Sequence, residues 1–227
     1  MRIKESFCKM MAVTLWAVGT FSAMPLVSAE VYGQTVPDSA KEIVHVPKDD
    51  AFGFYESGVI CEALGDNAWA MENYTHAIGL DVKFIEAYFN RGMVYEKLGE
   101  FANAASDFTK VLELSPKDTA AYNKRGESYI KLHDYTRAIA DFTTAIELKP
   151  EFVEAYHNRG VAYYEMGNPS QAIDEFSKAI ELDPEFAKSY FGRAMSYKSL
   201  GDHEKESADL TMARKLGIKQ QQNVAEK

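Results

Sequence analysis

Cysteine is nearly absent from this chain. Its 227 residues contain two, Cys8 and Cys61, and Cys8 lies in an N-terminal segment expected to be removed. A disulfide framework is therefore excluded. Cys61 reads as a small buried hydrophobe, with a reactive or intermolecular thiol as the alternative. Positive charge is also scarce, at 25 Lys and Arg against 34 Asp and Glu, a net charge of -9. A general nucleic-acid binder is excluded on that ground, because phosphate recognition needs a basic surface. There is no G-x-S-x-G nucleophile motif, no P-loop and no dinucleotide fingerprint. The five histidines, at 45, 76, 133, 157 and 203, stand at no metal-ligand spacing from one another or from Cys. An enzyme is not expected, nor are catalytic, cofactor-binding or metal-binding residues.

Residues 1–29 read as a secretory signal peptide. Arg2, Lys4 and Lys9 give a basic start, Met10 to Val27 is mostly apolar, and Val27-Ser28-Ala29 offers small residues to a signal peptidase. The competing reading is an uncleaved anchor. The run is short for a span, and Thr14, Gly19, Thr20, Ser22 and Pro25 weaken it. Cleavage after Ala29 removes three basic residues and one acidic one, leaving 22 against 33 and a net charge of -11. Such a chain is expected to be exported, to the periplasm of a Gram-negative cell or to the medium. It is not expected to insert stably in a membrane or to cling to anionic lipid. Residues 30–50, with Pro37 and Pro47, read as a linker.

What the chain has in abundance is repetition. Arg91-Gly92, Arg125-Gly126, Arg159-Gly160 and Arg193-Ala194 are spaced by 34 residues. So are Asp107-Phe108, Asp141-Phe142, Glu175-Phe176 and Asp209-Leu210, and so are Pro116, Pro150 and Pro184. The units run 85–118, 119–152, 153–186 and 187–220, with a degenerate unit at 51–84 and a tail at 221–227. Within 85–118, Tyr88, Gly92, Tyr95 and Leu98 keep helical spacing, and Leu98-Gly99-Glu100 breaks the run with Gly99 as C-cap. A second helical run, Ala104 to Leu114, stops at Ser115-Pro116. No such unit buries its own apolar face, so the units must stack. Asn73-Tyr74-Thr75 matches a glycosylation sequon, but its position inside a predicted helix favours a chance match.

These residues resemble the tetratricopeptide repeat. Unit 153–186 carries the family pattern in full: Tyr156, Gly160, Tyr163, Met166-Gly167, Ala172, Phe176, Ala179 and Pro184. The ends depart from it. The first unit has Cys61 for the second aromatic and Val82 for proline, while the last has Ala194, Glu206 and Ile218 for glycine, alanine and proline. The resemblance implies an all-α, right-handed superhelical solenoid of five helix-turn-helix units over residues 51–220. It also implies a concave wall, lined by the first helix of each unit, that binds peptides or partner domains.

Each arginine of the series precedes an acid by sixteen residues, and the first unit replaces both members together, with Ser57 and Asn73. This co-occurrence predicts ion pairs between the two helices of a unit rather than an anion-binding ladder. In the family the fifth and ninth residues of a unit face the concave wall. Here they are Tyr55 and Val59, Phe89 and Met93, Asn123 and Glu127, His157 and Val161, and Phe191 and Met195, with Ile130 and Tyr164 one turn further on. The Lys and Asn clamp that related domains close on a C-terminal carboxylate is absent from these positions. The wall predicts an open groove, rich in Phe, Met and Tyr around a polar centre of Asn123, Glu127 and His157. Its expected partner is a protein or peptide with apolar anchors, such as a helix. The groove is otherwise covered by the linker or by the tail. The leading expectation is a non-enzymatic adaptor of the cell envelope or the medium. The alternatives are a self-assembling homo-oligomeric scaffold and an accessory subunit of an envelope biosynthesis or secretion complex.

Overall fold

A computed structural model describes residues 50–217. The signal segment, nearly all of the linker, residues 218–220 and the tail lie outside the described residues. Ten helices and no strand occur among those described: α1 Ala51–Ala63, α2 Asn67–Leu80, α3 Ile85–Leu98, α4 Phe101–Leu114, α5 Thr119–Lys131, α6 Tyr135–Leu148, α7 Val153–Glu165, α8 Pro169–Leu182, α9 Ala187–Ser199 and α10 His203–Lys215. The chain is an all-α solenoid whose contacts separate it into two compact units, Met1–Val94 and Tyr95–Lys227.

The helix boundaries follow from local chemistry. Asp50, Asp66, Asp118, Asp134 and Asp202 each accept a hydrogen bond from a backbone N–H of the following first turn, at 2.8–3.2 Å. These caps satisfy amide groups that a helix start leaves without partners. The turn inside a repeat requires a left-handed residue, supplied by Gly65, Gly99, Gly167 and Gly201 at φ between 76° and 82°. His133 occupies the corresponding place in the repeat of residues 119–152, at φ 58°.

In the first unit α1 packs on α2. Cys61, Ala70, Tyr74 and Val94 form its buried cluster, with Tyr55, Leu64, Trp69 and Met71 against it. Cys61 is 3% exposed, so it fills core space as expected of a small hydrophobe. In the second unit α5 packs on α6, α7 on α8 and α9 on α10, while α4–α5, α6–α7 and α8–α9 join successive repeats. A cluster of Ala138, Phe142 and Ala162, flanked by Tyr129, Ile130 and Ile139, links one repeat to the next. The glycine of the Arg-Gly series has a steric cause: a methyl at Gly126 would lie 2.6 Å from the Phe142 ring, and one at Gly58 would lie 2.6 Å from Tyr74. The last repeat instead has Ala194, fully buried, and it is the repeat with Leu210 where the others have a ring.

Candidate partner-binding site

Three of the predicted ion pairs are seen in the second unit. Arg125 donates from Nε and Nη2 to both carboxylate oxygens of Asp141, at 2.8 and 2.7 Å. Arg193 grips Asp209 in the same way, at 2.8 and 2.9 Å. Arg159 reaches Glu175 from Nη2 alone, at 2.9 Å, and its buried Nε has no partner. The two aspartate contacts push the arginine pKa values up. For Glu175, burial raises the pKa despite the partial offset from Arg159.

The same arginines reach backward. Arg125, Arg159 and Arg193 donate from Nη1 to Thr109, Thr143 and Ser177, at 3.0–3.1 Å, and Arg91 of the first unit does so to Thr75 at 3.0 Å. Each arginine therefore ties its own repeat to the previous one. These hydroxyls recur every 34 residues, a series that was open to sequence reading and carries a link the acids alone do not reveal. With their polar groups engaged in this way, the Arg159 Nε excepted, the arginines are structural.

Four of the twelve wall residues meet in one place. Glu127, Ile130, His157 and Val161 line a cavity of about 430 Å³ in the second unit, together with Glu96, Phe101, Lys131, Glu154, Asn158, Phe186 and Lys188. Ile130 and Val161 come from neighbouring first helices, α5 and α7, and Phe186 immediately precedes α9. The other wall residues do not line this cavity. Tyr164 and Met195 are half-buried, and Phe191 is 38% exposed. In the first unit Val59 is exposed, while Phe89 and Met93 are half-buried. Tyr55 is half-buried against Phe84, at 5.0 Å between rings, and its hydroxyl accepts from Asn90 at 3.2 Å.

The polar centre differs from a set of groups open to a ligand. Asn123 is only 6% exposed. Its amide donates to Glu127 Oε1 at 2.7 Å, and Asn158 donates to both Glu127 Oε1 and Asn123 Oδ1, at 2.9 and 3.0 Å. Lys124 donates to Glu127 Oε2 at 2.7 Å and lies 3.7 Å from Glu96, which also takes the Ser128 hydroxyl at 3.0 Å. Burial raises the Glu96 pKa more than Lys124 and Ser128 lower it. Burial pulls Lys124 down, but Glu127 and Glu96 more than offset it and leave it raised. Two acids of the cavity wall are thus committed to internal contacts. Lys131, Lys188 and Glu154 form no ion pair among the described residues.

His157 sits between the rings of Phe176 and Phe186, each 5.4 Å away. Burial, and then the charge of Lys188, lower its pKa to about 4. The neutral ring is 3.1 Å from Ser189 Oγ, which resembles a nucleophile and its base. Ser189, however, is 0% exposed and closed to any substrate. No group of three or more His, Cys, Asp or Glu fit to hold a metal occurs among the described residues. The chemistry available to this cavity is recognition: apolar walls, two exposed ammonium groups and one exposed carboxylate.

Comparison with known proteins agrees with the helical fold. Tetratricopeptide-repeat profiles match residues 85–118 and 153–186, and two further profiles of the same repeat match 128–167 and 175–206. No curated protein matches the chain. Among solved structures, MamA from Desulfovibrio magneticus RS-1 is similar at 23% identity, covering 75% of this chain and 96% of its own, with a TM-score of 0.69. YrrB, described as a TPR protein with an unusual peptide-binding site, is similar at 22% identity, covering 79% and 90%, with a TM-score of 0.62. A tetratricopeptide repeat protein from Parabacteroides merdae is 27% identical, covering 74% of this chain and 66% of its own, with a TM-score of 0.68. None of the matched profiles is that of an enzyme. The helical array of this chain is a tetratricopeptide-repeat solenoid, a fold of protein–protein interaction modules.

Proposed function

We propose that this protein is a non-enzymatic adaptor of the cell envelope or the medium. It seats an apolar side chain of a partner segment in the cavity between the first helices of its middle repeats. The observation that carries this reading is the cavity itself. Phe101, Ile130, Val161 and Phe186 offer it apolar surface, while Glu127 and Asn158 of its lining are held by hydrogen bonds to each other and to the buried Asn123. A pre-ordered lining lowers the entropic cost of docking. Lys131 and Lys188 at the wall add a preference for a partner with an acidic group beside its apolar anchor. The peptide-binding description of YrrB supports the reading by analogy of fold. The export half of the proposal rests on the segment of residues 1–29.

Panning phage-displayed random peptides against the protein tests the cavity. Enriched peptides should bind the native protein and lose at least tenfold in affinity on Ile130→Ser/Val161→Ser, with helicity unchanged by circular dichroism, about 1.4 kcal/mol or more. Enriched peptides that ignore these substitutions overturn the cavity as the site. Peptide binding that gives way to concentration-dependent self-association favours the scaffold alternative. N-terminal sequencing of the protein recovered from cells tests export: it should begin at Glu30, and an intact Met1 in the cytosolic fraction overturns it.

A further inference from the structure

The three arginine–acid ties of the second unit are not equal. Asp141 and Asp209 each accept two hydrogen bonds from their arginine, one on each oxygen. Glu175 accepts one from Arg159 Nη2, and the buried Nε is left without a partner. Glutamate is one methylene longer than the aspartate that its neighbours hold in the same register, and here its carboxylate does not span both nitrogens. A buried donor without a partner weakens the tie that holds it. Neither helix of this repeat is capped by a side chain: Phe152 and Asn168, at the N-caps of α7 and α8, make no cap hydrogen bond. In the repeat before it Asp118 and Asp134 cap both helices, and in the repeat after it Asp202 caps α10.

This loosely fastened repeat supplies a wall of the cavity. Helix α7 brings His157, Asn158 and Val161 to it. Arg159 stands two residues from His157 and two from Val161, so it leaves the helix about 200° round from them, on the opposite side. On the cavity side α7 is held by its neighbours' first helices. Asn158 donates to Glu127 and Asn123 of α5, and His157 lies 3.1 Å from Ser189 of α9. Behind, toward α8, the polar tie is the single bond to Glu175.

We propose that α7 is the yielding wall of the cavity: a partner's anchor presses it back on α8, and the Arg159–Glu175 tie takes up the movement. The spare Nε lets the arginine exchange one bond to Glu175 for another as the helices shift. The aspartate ties, with both oxygens engaged, must break a bond to do the same. This gating rests on the partner-binding reading of the cavity and adds the route by which an anchor enters.

Asn168→Asp/Glu175→Asp tests this, because it supplies the cap that Asp134 gives α6 and the two-oxygen tie of Asp141 and Asp209. Hydrogen exchange of the full chain, corrected for each amide's intrinsic rate, should show α7 and α8 about tenfold less protected than α5 and α6 before them and α9 and α10 after them. Fraying from the end cannot produce that order, because α9 and α10 stand nearer the end. The variant should bring the three repeats level. Equal protection in the native protein overturns the proposal, and so does a variant that leaves the difference in place. Neither readout needs a partner, so both stand even where no peptide binds and the cavity fails as a site. With a peptide enriched on the native protein, stopped-flow association should slow by about fivefold in the variant, whose Ile130 and Val161 are unaltered. Unchanged association also overturns it.

Discussion

In the repeat of residues 51–84 the ring between the two helices is Tyr74, fully buried, and its hydroxyl donates to Glu62 at 2.9 Å. In the repeats of 119–152 and 153–186 the same register holds Phe142 and Phe176, which have no polar atom to satisfy. The arginine and acid of those repeats are replaced in the first by Ser57 and Asn73. These turn back on their own helices, Ser57 to the Gly53 carbonyl at 3.0 Å and Asn73 to that of Trp69 at 2.8 Å. The later repeats spend their polar contacts on tying two helices together, and on tying each repeat to the one before. In the first repeat the arginine–acid tie is replaced, and a phenol–carboxylate contact joins its helices. A burial pattern common to all repeats thus coexists with two kinds of polar fastening, and only one of them transmits along the array.

The largest difference should come from the rings. Phe142→Ala leaves a cavity where a fully buried ring packs against Gly126, at a cost of about 3–5 kcal/mol. Tyr74→Phe keeps the ring and loses one hydrogen bond, at a cost of about 1 kcal/mol. Denaturant titration followed by circular dichroism measures both. Equal losses would mean that the first repeat depends on its phenol as strongly as the middle depends on its whole ring.

Next come the arginines. Arg125→Met strands Asp141, whose side chain is only 8% exposed, and removes the donor to Thr109, for a loss of about 2–4 kcal/mol. Arg125→Met/Asp141→Leu should recover most of it, because the buried charge disappears with its partner. Hydrogen exchange should show the single variant loosening α4 as well as α6, since the arginine holds both. Loosening confined to α6 would reduce the ladder to a set of independent pairs.

Acid tests the second unit. His157 titrates near 4 in the folded chain and at about 6.5 in the unfolded one. A depressed pKa stabilises the fold in full above the unfolded value, and that contribution fades as pH falls from 6.5 toward 4. The loss is at most about 3 kcal/mol, and Glu96 and Glu175, whose pKa values burial raises, offset part of it at the acid end. His157→Gln should flatten the stability of the second unit between pH 6.5 and 4 relative to the native protein. Parallel curves would show that His157 is not the acid-sensitive group.

The arginine–acid pairing was legible in the sequence because both partners recur and vanish together. The turn glycines were legible for the same reason: periodic positions average over local accidents, whereas Cys61 was legible as a lone small hydrophobe. Asn73 of the sequon is 6% exposed and bonded to its own helix, as the helical position suggested. What was not legible lies in the side chains that differ from repeat to repeat. Asn123 and His157 occupy wall positions, yet the first is buried and bonded to Glu127 and Asn158, and the second is half-buried between Phe176 and Phe186. Asn158 comes from the next repeat, and Phe176 and Phe186 stand outside the fifth-and-ninth positions, so a register assigned from one helix does not reveal them. The cavity is likewise set by Phe101, Phe186 and two lysines that fall outside the fifth-and-ninth pattern.

The smallest effect sharpens a contrast within the solenoid at its turns. Four repeats place glycine at the left-handed position, and the repeat of 119–152 places His133 there at φ 58°. A side chain in that region costs about 1 kcal/mol, while glycine adopts it at no steric cost but gives up more chain entropy on folding. His133 recovers some of the cost through the contact of its Nδ1 with the Tyr135 hydroxyl, 2.8 Å away and exposed to solvent, where such a bond contributes little. His133→Gly should therefore stabilise the protein by about 0.5 kcal/mol, read as a small rise in the thermal midpoint. A fall would mean that the histidine–tyrosine contact outweighs the backbone strain. His133 would then be a fastening of the turn, comparable with the phenol of Tyr74 in the first repeat.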